Sequence, residues 1–111
     1  MPGMSGWHYL MLGGVLEILW AVCAKARPWW TFPISMAAGA GSVSCLYAAL
    51  DTMPIGTAYA VWTGIGAAGS ALVGILLFGE SASAPRLGSL ALVTLGLVGI
   101  GLSARYPPGA P

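Results

Sequence analysis

Only four basic and three acidic residues are spread over 111 positions, about 6% of the chain. A soluble domain carries roughly 25%. So little charge leaves no basic patch to release counterions from a phosphate backbone, and nucleic acid is excluded as a partner. Cysteine is almost as scarce. Cys23, Cys45 and the single histidine, His8, have no metal-ligand spacing, so neither a zinc site nor a disulfide framework is expected. The two cysteines fall inside apolar runs, where they act as small packing residues. Nor is there a soluble strand to give the Gly64-Ile65-Gly66-Ala67-Ala68-Gly69 pattern a dinucleotide-binding context. No cofactor is expected. Residues 1–6 contain no Lys or Arg, and an acid interrupts the apolar run that follows, so a cleaved signal peptide is not expected either.

Hydrophobic residues are there in their place, at 58% of the chain with a mean hydropathy of +0.85. Charges, prolines and polar clusters divide the chain into four apolar stretches, approximately residues 7–25, 31–50, 55–78 and 85–104. Each is long enough to cross the roughly 30 Å hydrocarbon core as a helix. Only a helix satisfies its own backbone in lipid at that length. The expected architecture is therefore an all-α membrane protein, a single domain of four short transmembrane helices. Short connections make neighbours antiparallel. The remaining mass leaves no room for a soluble catalytic site, so no enzyme is expected.

One charge breaks the pattern. Glu17 is the only charged side chain between Trp7 and Ala24, and it stands near the middle of the first span. A carboxylate at that depth costs roughly 2.5–3.5 kcal/mol on insertion scales. An intramembrane acid of this kind is by default a proton or cation site. Gly13 and Gly14 precede it by one turn and Trp20 follows by three residues, all on one helical face. The glycines leave space on that face. The indole supplies an N–H donor for the carboxylate and a π-face for a cation. On the third span, Tyr59, Trp62 and Gly66 form a similar stripe. An acid ringed by aromatics, with no fixed cation beside it, suits a small mobile cation.

The other charges, Lys25, Asp51, Glu80 and Arg86, fall at span ends, where side chains reach water. Trp7, His8, Tyr9, Trp29 and Trp30 fall where an interfacial belt would stand. Lys25, Arg27 and Arg86 lie on one side of the membrane against Arg105 on the other. So weak a bias suits a preferred orientation or insertion both ways. Four short helices make too small a bundle to enclose a cavity lined by several aromatics, so an oligomer is expected. Gly66, Ser70 and Gly74 form a small-residue ridge on the third span. Gly88, Ser89 and Gly96 make the fourth a candidate interface.

Gly14-x-x-Glu17-x-x-Trp20-Ala21 with Lys25, and the run Pro54-Ile55-Gly56-Thr57-Ala58-Tyr59-Ala60-Val61-Trp62-Thr63-Gly64-Ile65-Gly66, resemble the small multidrug resistance family. The likeness extends from Trp7 to about Ala104. Trp20 and the Pro-Ile-Gly-Thr start resemble its guanidinium-exporter subtype more than its quaternary-ammonium subtype. The resemblance implies a bacterial inner-membrane antiporter, an antiparallel dimer that exchanges protons for a guanidinium-type cation. It implies that Glu17 binds protons and cation alternately, and that Trp20, Tyr59 and Trp62 line the pocket. It further implies that Ser42 hydrogen-bonds the acid and that helix 4 is the main dimer contact. The partner would be a second copy or a related subunit. Val43 and Ser44 stand where the family usually has two aromatics, residues 37–41 are smaller than usual, and the first loop is shortened to Pro28-Trp29-Trp30. These departures bear on substrate size and on the opening beside helix 2. The alternatives are a polyspecific exporter of quaternary ammonium compounds and an accessory subunit whose Glu17 meets a partner's Lys or Arg.

Overall fold

The structure, a computed structural model, describes residues 6–26 and 28–103. The described residues form four helices, α1 (Gly6–Ala26), α2 (Thr31–Leu50), α3 (Ile55–Leu77) and α4 (Ala84–Ser103). All four are long and apolar enough to span a membrane, in agreement with the four expected stretches. Arg27, Arg105 and Ala104, on which the charge bias and the end of the fourth span depend, lie outside the described residues.

Local chemistry sets the boundaries. The Pro28 carbonyl accepts from both the backbone N–H and the hydroxyl of Thr31, at 2.9 and 2.7 Å, and starts α2. Pro54 is extended, with φ −62° and ψ 145°, and its carbonyl accepts from Ala58 N–H to open α3. Gly79 ends α3 in the left-handed region at φ +65°, which glycine enters without steric cost. Its neighbours Phe78 and Glu80 both donate backbone N–H to the Gly74 carbonyl at 3.1 Å. Ser83 then caps α4 through its carbonyl and hydroxyl, and Pro85 sits in the first turn, where no N–H is missed.

α1 is the central helix, packed against α2 and α3, whereas the backbone of α4 runs close to α3 alone, with the Trp7 ring of α1 beside its Gly101. The buried face of α2 is a stripe of small residues, Thr31, Ser35, Ala38, Ser42, Cys45 and Ala49. These alternate at three and four residues and let α1 approach closely. Leu10, Ala49, Ala58 and Val61 form the buried apolar cluster. No residue of α4 is buried. The molecule is a slab of 45 × 35 × 18 Å, less than two helix diameters thick.

Gly13 and Gly14 do not leave open space beside the acid, as the sequence suggests; they are the seats of other helices. A Cβ on Gly13 would stand 3.0 Å from Cys45 Cβ, and one on Gly14 2.8 Å from Ile65 Cβ. Gly14→Ala is therefore expected to destabilise the fold by about 1–3 kcal/mol through overpacking. Unfolding of the detergent-solubilised protein checks this, and unchanged stability would mean that Ile65 yields freely. The ridge on α3 is likewise divided in its use. Gly66 receives Glu17, with a Cβ position 3.0 Å from that of the acid, while Gly74 is covered by the Glu80 side chain. Glu80 is not simply solvated: it accepts a hydrogen bond from Arg86 at 2.6 Å, tying the end of α3 to the start of α4.

Candidate functional site

Glu17 and Trp20 are three residues apart on α1, a spacing that brings side chains onto one face. Trp20 Nε1 donates to Glu17 Oε1 at 2.8 Å, the bond that the sequence predicts. Behind the acid lies Gly66 of α3, where an added Cβ would crowd the Glu17 Cβ at 3.0 Å. In front lies a cleft of about 410 Å³ lined by Glu17, Trp20, Ser35, Met36, Gly39, Ala40, Val43 and Trp62. Its walls are mainly apolar, and it opens beside α2. The only ion pair among the described residues is Arg86–Glu80, so no fixed cation neutralises Glu17 there.

Trp62 reaches the site from α3. Its Nε1 donates to Ser42 Oγ at 2.8 Å, and Ser42 Oγ donates in turn to the Gly13 carbonyl at 2.7 Å. The Ser42 hydroxyl, itself fully buried, is thus committed to a bridge between α1, α2 and α3, and its bonds do not go to Glu17. The Tyr59 ring leans on that of Trp62, with centroids 5.6 Å apart and planes inclined at 43°. Glu17, Trp20 and Trp62 therefore meet at one cleft, while Ser42 and Tyr59 stand behind or beside Trp62. Gly13, Gly14 and Gly66 shape the packing around the cleft without lining it.

On the α2 wall, Gly39, Ala40 and Val43 fall among the departures from the family pattern, whereas Ser35 and Met36 are not anticipated from the sequence. Ser35, Gly39 and Val43 recur every four residues, as do Met36 and Ala40, and that helical spacing was the available signal. Gly39 has a clear purpose. The Trp20 indole lies against α2 there, with the Cβ position 3.8 Å from Trp20 Cγ, so a small residue keeps the contact at ordinary van der Waals distance.

A second cleft of about 320 Å³ opens further along α1 and α3, lined in part by Ala21, Lys25, Ser70, Gly74, Glu80 and Arg86. It offers a cation less, because its single carboxylate is already engaged by Arg86 and Lys25 adds another positive charge.

Comparison with known proteins bears on the whole chain. The sequence model of the family described as Small Multidrug Resistance protein matches residues 5–93. A guanidinium exporter of Citrobacter freundii is 48% identical over 103 residues, covering 89% of this chain and 98% of that protein. Guanidinium exporters of Salmonella typhimurium strain LT2 and Escherichia coli K12 are 47% and 46% identical over the same coverage. With four spanning helices, an intramembrane acid at an open cleft and a match along most of its length, the chain belongs to the small multidrug resistance family of multi-pass inner-membrane transport proteins.

Proposed function

We propose that this chain exports guanidinium or small guanidinylated cations in exchange for protons, and that it works as two copies, or two related subunits, packed in opposite orientations. The observation that carries the reading is the 2.8 Å bond from Trp20 to Glu17 at the wall of an otherwise apolar cleft. It leaves the carboxylate oriented, with lone pairs to spare, and it fixes an indole ring beside it. Guanidinium is a planar fork that donates paired hydrogen bonds to a carboxylate, and its flat face stacks on aromatic rings. The naming of the relatives as guanidinium exporters, at 46–48% identity, supports the same substrate.

Proton coupling follows from having one acid for two ligands. An ionised Glu17 holds the cation, and a protonated Glu17 has no charge left to hold it. Competition at that carboxyl, alternately open to each side of the membrane, gives exchange. The slab shape and the unburied α4 support assembly in pairs, with Gly88, Ser89 and Gly96 at the contact. Exchange of inward and outward roles between inverted protomers would then supply the symmetry that other transporters obtain from internal repeats.

A second reading, export of quaternary ammonium ions, is favoured by one feature, the apolar lining from Met36, Ala40 and Val43. Those ions donate no hydrogen bond and would rely on ring faces and apolar contact. Transport by purified protein in liposomes separates the two. Liposomes with an acidic interior should take up guanidinium as protons leave, and should not take up tetramethylammonium; the reverse preference would reject the guanidinium assignment. Trp20→Phe keeps a ring and removes the N–H. It should raise the guanidinium KM by about 10-fold or more, the scale of one hydrogen bond to a charged group. An unaltered KM would remove Trp20 from the site.

A further inference from the structure

α2 is stitched to α1 by two serine hydroxyls. Ser42 Oγ donates to the Gly13 carbonyl at 2.7 Å, and Ser35 Oγ donates to the Trp20 carbonyl at 2.8 Å. The donors are seven residues apart on α2 and the acceptors seven apart on α1. Both bonds therefore fall on one antiparallel seam, two turns from each other, and Glu17 lies between them. Both serines are buried, at 0% and 2% exposure. A helical carbonyl keeps a second lone pair, which such a hydroxyl can use without unwinding the helix.

The two bonds differ in what they hold. Ser42 joins the Trp62 bridge already described. Ser35 holds Trp20 itself and lines the same cleft as Trp20 and Glu17. Trp20 is thus fixed at two points, its carbonyl by Ser35 and its indole N–H by the acid, with its ring resting over Gly39.

We propose that Ser35 is a positioning residue of the transport site, whose hydroxyl pins Trp20 to α2 so that the indole N–H stays aimed at Glu17. Ser35 binds neither the cation nor the proton; it acts through Trp20. Its effect on transport rests on the reading of Glu17 and Trp20 as the cation site. Simple helix glue would change stability and leave the indole where it is.

Two measurements on the purified full-length protein separate these cases. The first needs no substrate. With 15N-labelled tryptophan, the Trp20 indole N–H resonance is identified by its loss in Trp20→Phe, and its downfield position reports the bond to Glu17. Ser35→Ala should shift it upfield, in the direction produced by Glu17→Gln, and Ser35→Thr should restore it. The second is guanidinium binding. Ser35→Ala should weaken it about 3- to 10-fold, the range of one ordinary hydrogen bond. The same change made in Trp20→Phe should add less than about 2-fold, because coupled residues fail to add. Should the Ala variant fold poorly, Ser35→Cys keeps the volume with a weaker donor and serves the same comparison.

An unmoved indole resonance in Ser35→Ala overturns the proposal whatever the substrate is. So does a weakening of guanidinium binding that is undiminished in Trp20→Phe, or no weakening at all while Trp20→Phe itself weakens binding. A moved resonance in a protein that binds no guanidinium upholds the positioning role and rejects the guanidinium reading instead.

Discussion

Glu17→Gln is expected to reduce proton-driven guanidinium uptake to the level of protein-free liposomes while leaving the four helices folded. The amide has nearly the shape of the carboxyl. Its oxygen can still accept the Trp20 N–H, and the Gly66 seat behind it still fits. What is lost is the ionisable group. The cleft then has no negative charge for a cation and no site for an exchanging proton, and no other acid lines it. The second cleft cannot substitute, because Glu80 is tied to Arg86. Intact folding is read from unchanged helical circular dichroism and gel-filtration behaviour, and the loss of function from uptake under an imposed proton gradient. Gradient-driven uptake by the Gln variant at near wild-type rate would mean that the transported proton is carried elsewhere.

The parts of this molecule that could be read from sequence are those governed by one helix at a time. The spans follow from apolar length, and the observed boundaries differ from the expected ones by at most one residue where they can be compared. The Glu17–Trp20 bond follows from a three-residue spacing, and the Tyr59–Trp62 contact likewise. What failed to show was whatever depends on the register between helices. Gly13 and Gly14 share the face of Glu17, yet Cys45 and Ile65 occupy the space they leave. Only the packing of α2 and α3 decides that. The Ser42 hydroxyl bonds Gly13 and Trp62 because α2 is set against α1 by a short first loop and a stripe of small residues. Ser35 was invisible for the same reason. A serine in an apolar helix reads as a small packing residue until the carbonyl opposite is known. Glu80 is a further case, since its pairing with Arg86 needs the turn at Gly79 as well as the charge pattern.

Gly96→Val is the change expected to damage assembly while sparing the chain itself. Leu97 covers Gly64 of α3, but no atom of another part of the described residues stands within 4 Å of where a Cβ would lie on Gly88, Gly96 or Gly99. The Ser89 hydroxyl turns back to its own Pro85 carbonyl at 2.8 Å and leaves the surface beside it small. A Cβ added at Gly96 thus meets no neighbour among the described residues of the isolated protomer, in contrast to one at Gly14. In lipid, however, helices associate through close van der Waals approach of small residues, with little hydrophobic drive to help. If two α4 helices meet along Gly88, Ser89 and Gly96, the added side chains hold them apart. An overpacked contact costs about 1–3 kcal/mol, so the dimer should weaken by roughly 5- to 150-fold. Energy transfer between labelled protomers, followed as the protein is diluted into excess lipid, measures this directly. Helicity and thermal unfolding of the dispersed chain should stay unchanged. Orientation is the companion measurement. Cysteine tags at each terminus should label from both sides of the membrane in cells that contain every co-encoded subunit. Labelling from one side only, for this chain and its partner alike, would exclude antiparallel pairs. An unweakened Gly96→Val dimer would move the interface off this stripe of α4 and leave its exposed glycines facing lipid.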